Sequence, residues 1–137
     1  MGEHPFKLRV KEEFMSVIAR IRQSANINGE TNTRLRTKYG DKYSRALETM
    51  ARGGVKLYRF MPSMRTIWIV EGRERDYLVI PFIYCDCEDF YLNVVIRRKD
   101  DICYHMLAQA LADALGSYTL VELPDELYER FLEEWLF

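Results

Sequence analysis

Apolar residues at Val10, Phe14, Val17, Ile18 and Ile21 recur at helical spacing, with Lys11, Glu12, Glu13, Arg20 and Arg22 between them. That pattern predicts a first amphipathic helix. A polar, Asn-rich break from Asn26 to Asn32 follows, then a short helix through Leu35 to Tyr39 that Gly40 ends. Asp41 is placed to cap the next helix, whose apolar positions Tyr43, Ala46, Leu47, Met50 and Ala51 share a face before Gly53-Gly54 stops it. Beyond this point the periodicity shortens. Val55 to Phe60, Thr66 to Val70 and Tyr77 to Tyr84 are rich in β-branched and aromatic residues, and Met61-Pro62-Ser63 and Glu71-Gly72-Arg73 supply turn chemistry between them. These segments predict a three-strand meander, with Pro81 at an edge or a bulge.

From Glu88 to Ile96 the two periods compete. Phe90, Tyr91, Val94 and Val95 fit one helical face, whereas Val94-Val95-Ile96 suits a strand; the reading adopted is a short helix. After the polar loop Arg97 to Asp101, Met106, Leu107, Ala110, Leu111 and Ala114 mark the buried face of a helix that Gly116 ends. A last helix is expected from Pro124-Asp125, grouping Leu127, Phe131, Trp135 and Leu136 on one side and Asp125, Glu126, Glu129, Glu133 and Glu134 on others. The expected fold class is α+β: N-terminal helices, a small antiparallel sheet of about three strands, a metal knuckle leading into a helix, and a C-terminal helix.

At 137 residues and 48% hydrophobic content the chain suffices for one core, so residues 1–137 are expected to form a single domain. Within it, 1–54 is a basic helical part, 55–116 the meander with the knuckle, and 117–137 an acidic amphipathic helix. No apolar run reaches the roughly 20 residues of a membrane span, and Met1 to Lys11 has no apolar signal-peptide core. A soluble, intracellular protein is expected. Its net charge of −1 conceals a segregation: residues 1–60 hold 13 Lys/Arg against 6 Asp/Glu, and residues 61–137 hold 7 against 15.

The three cysteines change the picture most. An odd number confined between positions 85 and 103 suits no disulfide framework, whereas Cys85-Asp-Cys87, fifteen residues, then Cys103-Tyr-His105 is ligand spacing. Three thiolates and an imidazole close a tetrahedron around one Zn2+ and leave no position for water, which makes the ion structural. Helical residues two apart do not share a face, so Cys103 is expected just before the helix and His105 in its first turn, where the helix N-terminus favours thiolate. Three thiolates around a divalent ion sum to −1, and Arg97, Arg98 or Lys99 is available to offset it.

The pattern C-x-C, spacer, C-x-H resembles the SWIM zinc finger. Cys103-Tyr-His105-Met-Leu-Ala108 is similar to the longer C-x-H-x-x-A form of the small stand-alone SWIM proteins of the Shu-complex family. The layout over residues 14–132, including the segment YGDKYSRALE, is similar too. The resemblance implies an adaptor that partners a RecA-family recombinase paralogue in homologous recombination and DNA repair. Ala108 has a physical reading of its own, since a small residue one turn after His105 lets the helix approach the sheet, and plain helix propensity accounts for it about as well. Glu88 and Tyr104 depart from the family, which often has Pro after the second Cys and a basic residue between the last Cys and His.

Three functions follow for testing. An adaptor would use Leu127, Phe131, Trp135 and Leu136 as a helix-in-groove face, although the same stripe also suits packing on its own domain. A nucleic-acid binder, on single-stranded DNA above all, would use Arg34, Arg36, Lys38, Lys42 and Arg45 around Tyr39 and Tyr43, with Arg97, Arg98 and Lys99 as a second patch; a solvated helix pair with core tyrosines accounts for these residues equally well. An enzyme is not expected. The chain has no deaminase H-x-E with P-C-x-x-C, no phosphate-binding glycine loop and no G-x-S-x-G, and a fully ligated ion has no open position.

Overall fold

The computed structural model describes residues 5–136, with side chains for residues 12–135. Three helices open the chain: α1 Pro5–Ser24, α2 Gly29–Tyr39 and α3 Asp41–Ala51. Phe14, Ile18 and Ile21 of α1 are buried as their spacing predicts, while the Val10 side chain lies outside the described residues. α2 begins earlier than expected, because Asn28 caps it: its side-chain oxygen accepts the Thr31 N–H at 2.8 Å. The polar stretch is therefore partly the exposed first turn of α2. Asp41, expected to cap α3, is instead its first residue; Gly40, at φ +54°, holds the cap position and makes no side-chain hydrogen bond there. An acidic residue in that first turn still complements the helix dipole.

The strands β1 Val55–Met61, β2 Arg65–Glu71, β3 Asp76–Ile80 and β4 Tyr84–Cys85 form the antiparallel meander. A fifth, β5 Thr119–Pro124, lies parallel to β1 and completes the order β4-β3-β2-β1-β5. The predicted run Tyr77 to Tyr84 is not one strand: Pro81, Phe82 and Ile83 make the turn between β3 and β4, and Phe82, at φ +64°, packs edge-on against Phe14 at 5.6 Å. Pro81 thus sits where its missing N–H costs no ladder bond.

Both faces of the sheet are covered, and this explains why β2 reads as a nearly continuous apolar run. Val55, Leu57, Trp68, Val70 and Val79 face α1, α3 and α4 (Tyr104–Leu115) in the larger core. Phe60, Ile67, Ile69 and Leu78 face the other way, onto a short 3-10 turn, Asp125–Leu127, and α5, Tyr128–Leu136. The stripe assigned to partner binding is this second cover: Leu127, Phe131 and Trp135 pack on the chain's own sheet, with Phe131 4.7 Å from the Tyr58 ring and 5.7 Å from Phe60. The Leu136 side chain and Phe137 lie outside the described residues. Asp125, read as a helix start, anchors the β1–β2 turn, accepting the Ser63 hydroxyl at 2.7 Å and its N–H at 3.0 Å. Among the described residues no helix is long and apolar enough to cross a membrane.

Candidate metal centre

β4 ends in Cys85, which is paired with Val79 and buried. The next residue holds the knuckle to the sheet. Asp86 Oδ1 accepts the Leu78 N–H at 2.9 Å, its N–H donates to Leu78 O at 3.3 Å, and its carbonyl accepts from Arg75 at 2.9 Å. Pinned on both sides, the chain turns Cys87 inward. Cys87 Sγ accepts the Phe90 N–H at 3.3 Å, and its carbonyl accepts the Tyr91 N–H, also at 3.3 Å, where a π-helical segment, Phe90–Ile96, begins. The helix expected there exists, but in the wider winding, which buries Phe90 and Val94 and leaves Tyr91, Val95 and Ile96 exposed.

The loop from Arg97 to Ile102 brings the second ligand pair back. Asn93 O accepts the N–H groups of both Lys99 and Asp100, at 2.9 and 3.1 Å. α3 and α2 then clamp the loop from outside. Lys42 Nζ donates to Asp100 Oδ2 at 2.8 Å and to Ile102 O at 2.9 Å, and lies 3.7 Å from Asp89; the Tyr39 hydroxyl meets Asp101 at 3.2 Å. Cys103 is the N-cap residue of α4 and His105 lies in its first turn, the placement the spacing predicts. Ala108, fully buried, lets α4 lie close over the sheet.

The four side chains converge. Cys85, Cys87, Cys103 and His105 are all buried, and their ligand atoms lie within 4.8 Å of one another. The imidazole is wedged against Tyr77 and Tyr104, with ring centroids 4.3 and 4.0 Å away, and its Nδ1 is 3.9 Å from Cys103 Sγ. Without a cation such a cluster is electrostatically awkward. Hydrogen bonds shared with Cys103 and Cys87, then burial, hold the Cys85 thiol far above its usual range. Burial first pushes Cys103 up to about 12. Hydrogen bonds from Cys103 and Cys85 draw Cys87 down. A divalent ion resolves this by replacing the shared protons, and the imidazole, with Nδ1 3.9 Å from Cys103 Sγ and Nε2 buried without a hydrogen-bond partner, supplies the fourth donor. The donor set, its burial and its closure fit one zinc ion, held by Cys85, Cys87, Cys103 and His105.

Of the residues considered for nucleic acid, Arg34, Lys38 and Tyr39 line one open cavity with Glu12 and Glu13, and the others lie elsewhere. Lys42 is committed to the clamp, and Lys38 lies 3.8 Å from Asp101 and 3.9 Å from Glu13. Arg36 lies over the Tyr43 ring at 5.2 Å and donates to Ser44 Oγ, while Arg45 lies over Tyr104 at 5.9 Å. Arg34 is exposed on α2. Tyr43 is core, and burial together with Asp101 holds the Tyr39 phenol well above its usual range. Arg97, Arg98 and Lys99 are exposed at the far end of the finger, where Arg97 donates to Asn93 Oδ1 at 3.2 Å.

Sequence reasoning overlooked the clamp, although a lysine in a basic stretch and the Asp100-Asp101 pair were both visible. Its role is testable. Lys42→Met leaves Asp100 without its lysine and is expected to cost about 1.5–3 kcal/mol, the range for hydrogen bonds to charged groups. Denaturant unfolding measures this, and an unchanged midpoint contradicts the clamp.

No family model matches the chain, and no solved structure matches it. Two curated proteins do. The chain is 24% identical over 119 residues to "Zinc finger SWIM domain-containing protein 7 homolog" of Dictyostelium discoideum, covering 85% of this chain and 76% of that protein. It is likewise 24% identical over 119 residues to "Zinc finger SWIM domain-containing protein 7" of Homo sapiens, covering 85% of each. Both relatives are named for the SWIM zinc finger that the ligand spacing resembles.

Proposed function

We propose that this chain, homologous to SWIM zinc-finger proteins, is a non-enzymatic adaptor in homologous recombination and DNA repair that binds a RecA-family recombinase paralogue. One observation carries the non-catalytic part. All four ligands are side chains of the protein, buried in the junction of sheet and helix, so the ion has neither an open position nor a route for substrate. The metal stabilises the fold, and function falls to the surface. What supports a protein-binding surface is the set of large apolar side chains left exposed beside the finger, Ile83, Tyr91 and Ile96 among them, at 65%, 59% and 57%. The recombination assignment rests on the family resemblance.

The test is affinity purification of the tagged protein from its own cells with nuclease treatment, followed by mass spectrometry of what remains. A recombinase paralogue in stable proportion, retained through a high-salt wash, is the expected result. A protein that comes through alone, and binds single-stranded DNA with an affinity that falls steeply with salt, overturns the adaptor in favour of direct nucleic-acid binding.

A further inference from the structure

The π-helical segment Phe90–Ile96 presents a surface that an α-helix of the same sequence would not. Successive α-helical residues turn by about 100°, which sets residues five apart on different sides, roughly 140° from each other. Bonds of the i→i+5 kind, such as the 2.9 Å bond from the Arg97 N–H to Leu92 O, put more than four residues in each turn, so positions i, i+4 and i+5 share a face. Here those positions are Tyr91, Val95 and Ile96, exposed at 59%, 45% and 57%. Phe90 and Val94 point the other way, into the larger core. The wider winding thus gathers three large apolar side chains on one outward strip. Such windings are frequent at functional sites, and an exposed apolar strip rimmed by charge marks an interaction surface.

The chain also sorts its charges around that strip. Asp89 accepts from Asn93 Nδ2 at 2.6 Å and lies 3.7 Å from Lys42 Nζ. Asp100 accepts from Lys42 at 2.8 Å, and Asp101 lies against the Tyr39 hydroxyl and Lys38. These three carboxylates are spent on α2, α3 and the segment itself, so they do not neutralise the cations between them. Arg97, Arg98 and Lys99, which follow Ile96 directly, are exposed, and among the described residues none of the three forms an ion pair. Arg98 is held at φ +52°, a conformation that glycine adopts at lower cost, so the position carries its guanidinium against the backbone preference. Glu88 is exposed at the opposite end of the segment.

We infer that this strip and its basic end are the docking surface for an acidic, amphipathic segment of a partner protein. The segment's apolar side chains lie on Tyr91, Val95 and Ile96, and its carboxylates meet Arg97, Arg98 and Lys99. Charge complementarity and the kind of apolar surface together select this occupant. Cations alone would also suit phosphate, but Val95 and Ile96 are aliphatic and offer no ring for a base to stack on, whereas the apolar face of a peptide buries them. The inference rests on the adaptor reading and adds to it the face that binds and the chemistry of what it binds.

The experiment uses the full zinc-loaded chain with Ile96→p-benzoylphenylalanine, a photo-crosslinking residue, irradiated in the protein's own cells. The expected product joins position 96 to one protein segment that has a net negative charge and apolar residues at regular spacing. Arg98→Glu with Lys99→Glu is expected to lower that yield at least about tenfold, because like charges then face each other, while zinc content and melting temperature stay those of the parent. Lysines in place of the segment's acidic residues restore the yield. Crosslinks to nucleic acid, to a second copy of the chain or to a segment without carboxylates overturn the inference, as does a double variant that crosslinks like the parent. A protein that copurifies with the tagged parent but never crosslinks from position 96 overturns it too and leaves the adaptor reading standing; if nothing copurifies, both fall. Should the double variant lose its fold, the sequence of the crosslinked segment decides.

Discussion

Cys87→Ser is expected to yield a chain without a cooperative folding transition, and a strong chelator is expected to do the same to the parent protein. Structural zinc contributes an apparent binding free energy of about 10–16 kcal/mol in small fingers. A domain's entire stability is about 5–15 kcal/mol, so few domains survive such a loss. The geometry makes this chain especially dependent. Cys85 lies on the edge strand β4, only two residues long, and Cys103 is the N-cap of α4, the helix that fills the larger core. The ion is therefore the crosslink between the sheet and its principal helix. Serine at position 87 also forfeits the thiolate that the Phe90 N–H supports, which loosens the start of the π-helical segment. Thermal unfolding followed by circular dichroism, with and without chelator, reads the effect. A Cys87→Ser protein that melts like the parent contradicts it.

Zinc affinity is expected to fall by at least a hundredfold for each pH unit of acidification through the neutral range. The sign follows from the thiols. In the metal-free cluster, hydrogen bonding and burial hold Cys85 high, and burial holds Cys103 up to about 12, so both are protonated at neutral pH while Cys87 is drawn low. The ion binds three thiolates, so uptake expels at least the protons of Cys85 and Cys103. Raising pH favours uptake; lowering it returns the protons and releases the metal. If the metal-free chain unfolds, Cys87 regains an ordinary thiol, protonated below roughly pH 8.5, and the dependence steepens further. Chelator competition at pH 6, 7 and 8 checks this, and a flat profile excludes a site of three thiolates.

The ligand set was legible because it is local: two C-x-C-like pairs declare themselves by spacing, and Met106 to Gly116 declares the helix that carries the second pair. The meander was legible for the same reason, through the β-branched and aromatic runs Val55–Phe60 and Thr66–Val70 and the turn residues Met61-Pro62-Ser63 between them. What escaped was non-local. β5 has only Val121 and Leu123 partly buried and ends at Pro124, so it resembles a helix approach until β1 is there to pair with it. The turn at Pro81–Ile83 was hidden inside an apolar run because Phe82 is apolar for a tertiary reason, its contact with Phe14. The apolar stripe of α5 was visible, but only the sheet's second face, with Phe60 and Ile69 awaiting cover, shows what it packs on. Lys42 likewise acquires meaning only from Asp100 and Ile102, distant in sequence.

The account turns on a closed site of three sulfurs and one nitrogen around a single zinc ion. X-ray absorption at the zinc edge, together with metal content per chain, tests it most directly. The predicted result is one zinc per chain, with three sulfur neighbours at about 2.3 Å and one nitrogen at about 2.0–2.1 Å. A folded chain that carries no zinc, or a zinc ion with a water oxygen in place of any of these ligands, contradicts it.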